Sequence, residues 1–251
     1  MSQQDVREGV WEQLIKVAKP DSRFHFDFGE FIPDYEGSEQ ALGRLLSMKI
    51  YSMARFIFVT PDNNLEGLRA RTIQYGKVLL TTTYAIKRGF VVLCHETVRQ
   101  GKEDFASLLD GQEKLGRPVS LSEIRELVDR LGVLDFFITG ASVINLQGIR
   151  FGKGHGYADL EWAMLSEIGA VDESTIVVAF VHDCQVEDMP LTTSIFDTAV
   201  DMIVTPTRVI HVEKPLKPTV GVVWEKLDEK LFKTIPPLQE LKAMREGGKS
   251  E

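Results

Sequence analysis

Residues 148–159, GIRFGKGHGYAD, place four glycines among Arg150, Lys153, His155, Tyr157 and Asp159. Glycine costs conformational entropy and packs nothing, so such a cluster calls for unusual φ/ψ or for close approach of backbone to a ligand. With cations between the glycines, the ligand chemistry is that of a phosphate. Two common phosphate motifs fail to match. A Walker loop needs G-x-x-x-x-G-K-[ST], but only three residues separate Gly148 from Gly152, and Gly154 stands where the hydroxyl should follow Lys153. A dinucleotide fingerprint needs G-x-G-x-x-G directly after a strand, whereas Gly152, Gly154 and Gly156 are spaced G-x-G-x-G.

The elements that must position this loop follow from hydrophobic patterning. Ser2 and Asp5 form a capping-box pattern ahead of Val6, Val10, Leu14 and Val17, which predicts a helix over 3–18 ended by Pro20. Residues 21–37 are aromatic and turn-rich and read as an arm, whose 24–35 portion is either a flap over a flat ligand or an edge packed on the body, packing being the plainer reading. Beyond it come a helix over 38–48, strands over 55–59, 77–83, 89–94, 134–139, 175–181 and 201–205, and helices over 64–75, 120–131 and 160–168. Short apolar runs alternating with amphipathic helices predict an α/β fold, a mostly parallel sheet with helices on both faces. In such sheets ligands sit beyond the carboxyl ends of the strands. One domain over 1–235 is expected, then a short helix and charged tail over 236–251.

Composition narrows the partners. A net charge of -8 argues against a non-specific polyanion binder, since nucleic-acid proteins gather a Lys/Arg surplus; any anion site must be local. The two cysteines, Cys94 and Cys184, give neither a disulfide framework nor a C-x-x-C pair and fit a reducing cytoplasm. No run of apolar residues is long enough to span a bilayer and no signal-peptide core opens the chain, so a cytoplasmic protein is expected.

The pattern G-x-R-x-G-x-G-x-G-Y-x-D resembles the loop of the 5-formyltetrahydrofolate cyclo-ligase (methenyltetrahydrofolate synthetase) family. Downstream, Gln185, Pro190, Asp197 and Thr205 follow in the family's order, and upstream RFIFVTPDNNLEGLRARTIQYGKVLL matches its strand, Glu-led helix and G-K strand. The phrases GKGHGYADLEWAM, VHDCQVEDMP and VDMIVTPTRVI are most similar to the methenyltetrahydrofolate synthetase domain-containing branch. The resemblance implies a scaffold like that of NagB, RpiA and CoA transferases. It also implies a ligase of one-carbon metabolism that uses ATP and Mg²⁺ to turn 5-formyltetrahydrofolate, a reduced folate, into 5,10-methenyltetrahydrofolate. On that resemblance Gly152, Gly154 and Gly156 wrap the triphosphate with Arg7, Arg150 and Lys153 compensate its charge, the last two catalytically. Glu66 and Tyr157 then contact the folate, while Asp159, supported by Asp197, serves Mg²⁺.

Three departures from the family pattern stand out: Gln3 lies near an expected lysine, Ala158 replaces a second tyrosine, and TGASVIN over 139–145 replaces a P-G-x-x-F-D run. They keep two alternatives open, a non-catalytic or regulatory nucleotide- or folate-binding module, and an ATP-dependent cyclisation of another pterin-like or thiamine-related substrate. Glu66 reads equally well as a first-turn carboxylate favoured by the helix dipole. His182 and Cys184 could mimic a thiol and base pair but read better as structural residues.

Overall fold

A computed structural model describes residues 2–247. The strands are β1 (Phe56–Val59), β2 (Val78–Thr82), β3 (Phe90–Leu93), β4 (Arg117–Val119), β5 (Phe136–Thr139), β6 (Val143–Asn145), β7 (Arg150–Phe151), β8 (Ile176–Phe180), β9 (Val186–Glu187), β10 (Met202–Val204) and β11 (Val209–His211). Eight form one sheet in the order β11-β10-β8-β5-β1-β2-β3-β4; β7, β6 and β9 form a second, three-stranded one. From β10 to β2 the large sheet is parallel, and its two edges are antiparallel.

Two of the three antiparallel pairings, β2–β3 and β10–β11, follow from chain length. The links after β2 and after β10 are too short for the crossover that a parallel neighbour requires, so the chain turns back beside the strand it has just left. Within the parallel core, alternate side chains enter two separate apolar layers. Phe56, Phe58 and Phe137 pack on one face with Trp162, Leu165, Ile124 and Leu127, while Ile57, Val59, Phe136 and Ile138 pack on the other with Leu42, Leu45, Leu68 and Ile73. Burial on both faces explains why these strands are apolar at every position rather than alternately.

The helices that cover the first face are Leu121–Leu131, Tyr157–Glu167 and Pro236–Gly247, which sends Leu238 and Leu241 into the same layer. Helix Leu121–Leu131 begins where Ser120 and Glu123 close a reciprocal capping box. Helices Ser38–Leu46 and Glu66–Gln74 cover the second. The first helix, Gln3–Leu14, has the expected Ser2/Asp5 capping box but ends before 18, because 15–18 turn to pair Ala18 with Tyr35 of the arm. Helices Glu103–Ser107 and Leu109–Leu115 and all of the small sheet were not predicted. The tail residues 248–251 lie outside the described residues. No helix among the described residues is long and apolar enough to cross a membrane.

Candidate phosphate and substrate cleft

The glycine loop is held by the small sheet. Asn145, fully buried, accepts from the backbone N–H groups of Gln147 and Ile149 at 3.1 and 2.9 Å and donates to the Met189 carbonyl at 3.1 Å, which closes the β6–β7 turn. Gln185, just after β8, donates to the Ala141 carbonyl at 2.6 Å and so ties the start of β6 to the end of β8. The loop then runs through Gly154 at φ +106° and Gly156 at φ +69°, conformations that L side chains rarely adopt. Gly152 faces open space, with nothing within 4 Å of where a Cβ would stand.

Helix Tyr157–Glu167 begins directly after Gly156, three residues earlier than the sequence predicts. No side chain among the described residues caps it, which leaves N–H groups of its first turn pointing to where an anion would bind. Tyr157 and Glu161 lie one turn apart on its cleft side, while Trp162 and Leu165 enter the core, where Trp162 meets Phe137 edge-on at 5.5 Å.

Beyond the carboxyl ends of β1, β2 and β5 the loop borders a cleft of about 210 Å³. Arg7, Arg150, Gly152, Lys153, Gly154, Gly156, Tyr157, Asp159 and Asp197 all line it. The structure thus brings together every sequence-predicted site residue except Glu66. Glu66 follows β1 but is not a lining residue; it is half-buried near Arg69, Asp34, Asp21 and the lining residue Arg23. Burial raises its pKa, against the pull of Arg69.

Three cations stand around the loop. Arg150 is only 6% exposed; its Nη2 donates to Asp159 Oδ1 at 2.8 Å, and its buried Nε has no partner among the described residues. A buried guanidinium N–H without an acceptor is costly, and an anionic ligand would supply the acceptor. Arg7 donates from Nε to the Gly152 carbonyl at 2.7 Å, with its guanidinium 5.4 Å from the Phe151 ring centre. Lys153 is the least engaged, 4.0 Å from Asp62 and 5.6 Å from the Tyr84 ring.

The carboxylates are more occupied than their residue types suggest. Asp159 Oδ1 accepts from Arg150 and from the Thr198 N–H at 3.0 Å; burial raises its pKa while these partners oppose the rise. Asp197 accepts from the Ser194 N–H and hydroxyl at 2.8 and 3.1 Å. No group of three or more His, Cys, Asp or Glu side chains is arranged to hold a metal among the described residues. The pair suits only a Mg²⁺ held chiefly by ligand phosphates and water, with one or two carboxylate oxygens added.

Sequence reasoning missed the other wall: Arg23, Asp62, Tyr84 and Glu161. Arg23 arrives on the arm, which therefore packs and lines the cleft at once: Phe28 and Phe31 join Leu14 in a small core, and Phe24 stacks on Tyr84 at 5.7 Å. The signal for Glu161 was a lone carboxyl inside LEWAML, an otherwise apolar helical run. His182 and Cys184 are structural: His182 Nδ1 accepts from the Cys184 N–H at 3.2 Å, and burial pushes the thiol pKa up to about 11.

Comparison with known proteins agrees with this geometry. The 5-formyltetrahydrofolate cyclo-ligase family model matches residues 2–206. The chain is 32% identical to the methenyltetrahydrofolate synthase domain-containing protein of Homo sapiens, over 97% of this chain and 62% of that protein. The Danio rerio protein of the same name is 32% identical over 98% of this chain and 63% of its own length. The chain therefore spans somewhat under two thirds of these relatives. Among solved structures, Aquifex aeolicus 5,10-methenyltetrahydrofolate synthetase shares the fold, with a TM-score of 0.52 at 16% identity, over 85% of this chain and 94% of that one. A glycine-loop cleft on this scaffold and a family match across most of its length lead to one conclusion: the chain belongs to the 5-formyltetrahydrofolate cyclo-ligase family.

Proposed function

We propose that the cleft binds ATP with Mg²⁺ and a reduced folate, and closes 5-formyltetrahydrofolate to 5,10-methenyltetrahydrofolate. The observation that carries this reading is the convergence of Arg7, Arg150 and Lys153 on an uncapped helix N-terminus, with Arg150 Nε lacking an acceptor. Three cations of an acidic chain meet where backbone N–H groups already point.

In this reading the formyl oxygen attacks the γ-phosphorus of ATP and ADP leaves. N10 of the folate then attacks the activated formyl carbon, and phosphate departs with the oxygen and the N10 proton. Transfer of this kind depends mainly on positioning and charge neutralisation. Lys153 and Arg150 neutralise the transferring phosphoryl group, and Arg7 holds the loop through Gly152. Asp159 and Asp197 are the residues that would hold Mg²⁺, which would screen the phosphate charges. Tyr157, with His155 stacked on it at 5.4 Å, offers a flat wall to the folate.

Incubation of the protein with ATP, Mg²⁺ and 5-formyltetrahydrofolate, followed by the absorbance of the methenyl product, tests the reading. Product that appears only with all three components supports it. The engagement of Asp159 Oδ1 by Arg150 and Thr198 favours one alternative, a module that binds nucleotide or folate without turnover. That alternative predicts ligand binding with no product.

A further inference from the structure

Glu161 is a carboxyl that the proposed chemistry leaves unused. It is 2% exposed yet lines the cleft, so it belongs to the cleft floor rather than to a solvated rim. The Thr82 hydroxyl, at the end of β2, donates to its Oε1, and among the described residues this is its only hydrogen bond. The nearest charges are Asp62, Lys153 and Arg150, and none makes an ion pair with it. Buried carboxyls normally have their oxygens satisfied, and a carboxylate can accept several donors.

The surroundings say which kind of donor is missing. Arg150 is committed to Asp159, and the Gly152–Gly156 side of the cleft suits an anion, which a carboxyl would repel. The cleft that Glu161 lines also presents Tyr84, Tyr157, Phe31, Ile32 and Ile86, flat or apolar surfaces suited to a ring. Trp162, the next residue, is locked in the core and donates to the Pro218 carbonyl at 2.7 Å, so the Glu161 backbone is fixed. Family resemblance assigned the folate-reading carboxylate to Glu66, which does not line the cleft.

We infer that Glu161 reads the ring of the substrate: its free carboxyl oxygen accepts a hydrogen bond from a ring N–H or amino group of a flat nitrogen heterocycle placed against Tyr84 and Tyr157. The inference rests on the proposed folate reading and names the group that recognises the ring. Thr82 is then a positioning residue that holds the other oxygen.

Two probes separate this inference from the reading beneath it: 5-formyltetrahydrofolate and the bare ring 2-amino-4-oxopteridine, which shares its aminopyrimidinone half. Glu161→Gln keeps size and the Thr82 bond but turns an amide N–H₂ toward the ring donors. Calorimetric titration should show roughly ten-fold or greater loss of affinity for both probes, with ATP·Mg affinity within two-fold of the unaltered protein. Glu66→Gln should leave all three affinities within two-fold. Glu161→Asp, which keeps the carboxyl and withdraws it by one methylene, should also lose affinity for both rings; it carries the test if melting shows that Glu161→Gln does not fold. Unchanged ring affinity in a folded Glu161 variant overturns the inference. A protein that binds the bare ring through Glu161 but never forms the methenyl product upholds the inference and overturns the cyclisation. If the unaltered protein binds neither probe, both fall.

Discussion

Of the cleft residues, Arg150, Gly152, Lys153, Gly154 and Gly156, which we assign to a phosphate end, come from a single stretch, 150–156, whereas Arg23, Tyr84 and Glu161, which we assign to a ring end, come from three separated segments. The first end works mainly through backbone shape and cations, which need only local spacing. The second works through side chains whose meeting depends on the arm, the end of β2 and a helix packing together. A phosphate end built from one loop can persist while the ring end is changed residue by residue, and Ala158 and Glu161 lie on the helix that joins the two.

The largest effect that would break this comparison belongs to Arg150→Ala. It removes one of the cations that face the cleft and leaves the partly buried Asp159 with its Thr198 contact alone. Loss of one member of a buried ion pair costs about 3 kcal/mol or more, so Tm should fall by roughly 6–12 °C together with ATP binding. A thermal melt with and without ATP checks this. Retained Tm would mean that the pair contributes little and that the loop is held by the small sheet alone.

A smaller effect concerns the arm. Burial pushes the Asp21 carboxyl up, but bonds from Arg23, Asn63 and two backbone N–H groups outweigh it and bring the pKa down to about 2. A depressed carboxylate gives stability that is present above its unfolded value of 3.8 and lost as pH falls toward 2. Asp21→Asn should therefore cost about 1–2 kcal/mol at neutral pH and flatten the acid limb of a Tm-against-pH curve between about pH 4 and 2. It should also loosen Arg23 at the ring end while leaving ATP affinity unchanged.

Gly156→Ala probes the phosphate end through backbone alone. Space is open around a Cβ there, so the cost is that of the left-handed conformation, about 1 kcal/mol, with the helix start displaced and ATP affinity reduced. The smallest effect is expected of Ala158→Tyr. Ala158 lines the cleft, and an added ring should strengthen folate binding by about 1 kcal/mol while ATP affinity stays put. Weaker folate binding in that variant would mean that Glu161 and Tyr84 already fill the space.

The comparison also separates what was legible in the sequence. The parallel core strands, the Ser2/Asp5 cap and the cation-glycine loop were legible because periodicity, capping and local spacing carry them. The antiparallel edges were not, since apolar runs such as FVVL do not reveal direction; only the short link before β3 does. Glu66 was assigned to the folate by resemblance to the family, and in the structure it is not among the residues that line the cleft, although it lies near Arg23, which is. Glu161 escaped notice because its meaning depends on Thr82, far away in sequence and adjacent only across the packed helix and sheet.

The claim that the cleft has a phosphate end and a ring end is tested most directly by KM values in the cyclisation assay, with Lys153→Ala and Glu161→Gln measured side by side. Lys153→Ala should raise the KM for ATP roughly ten-fold and leave that for 5-formyltetrahydrofolate within two-fold, because a charge-assisted contact contributes about 1.5–3 kcal/mol where it is made. Glu161→Gln should do the reverse. Equal shifts of both KM values in both variants, or no shift in either, would contradict the division of the cleft.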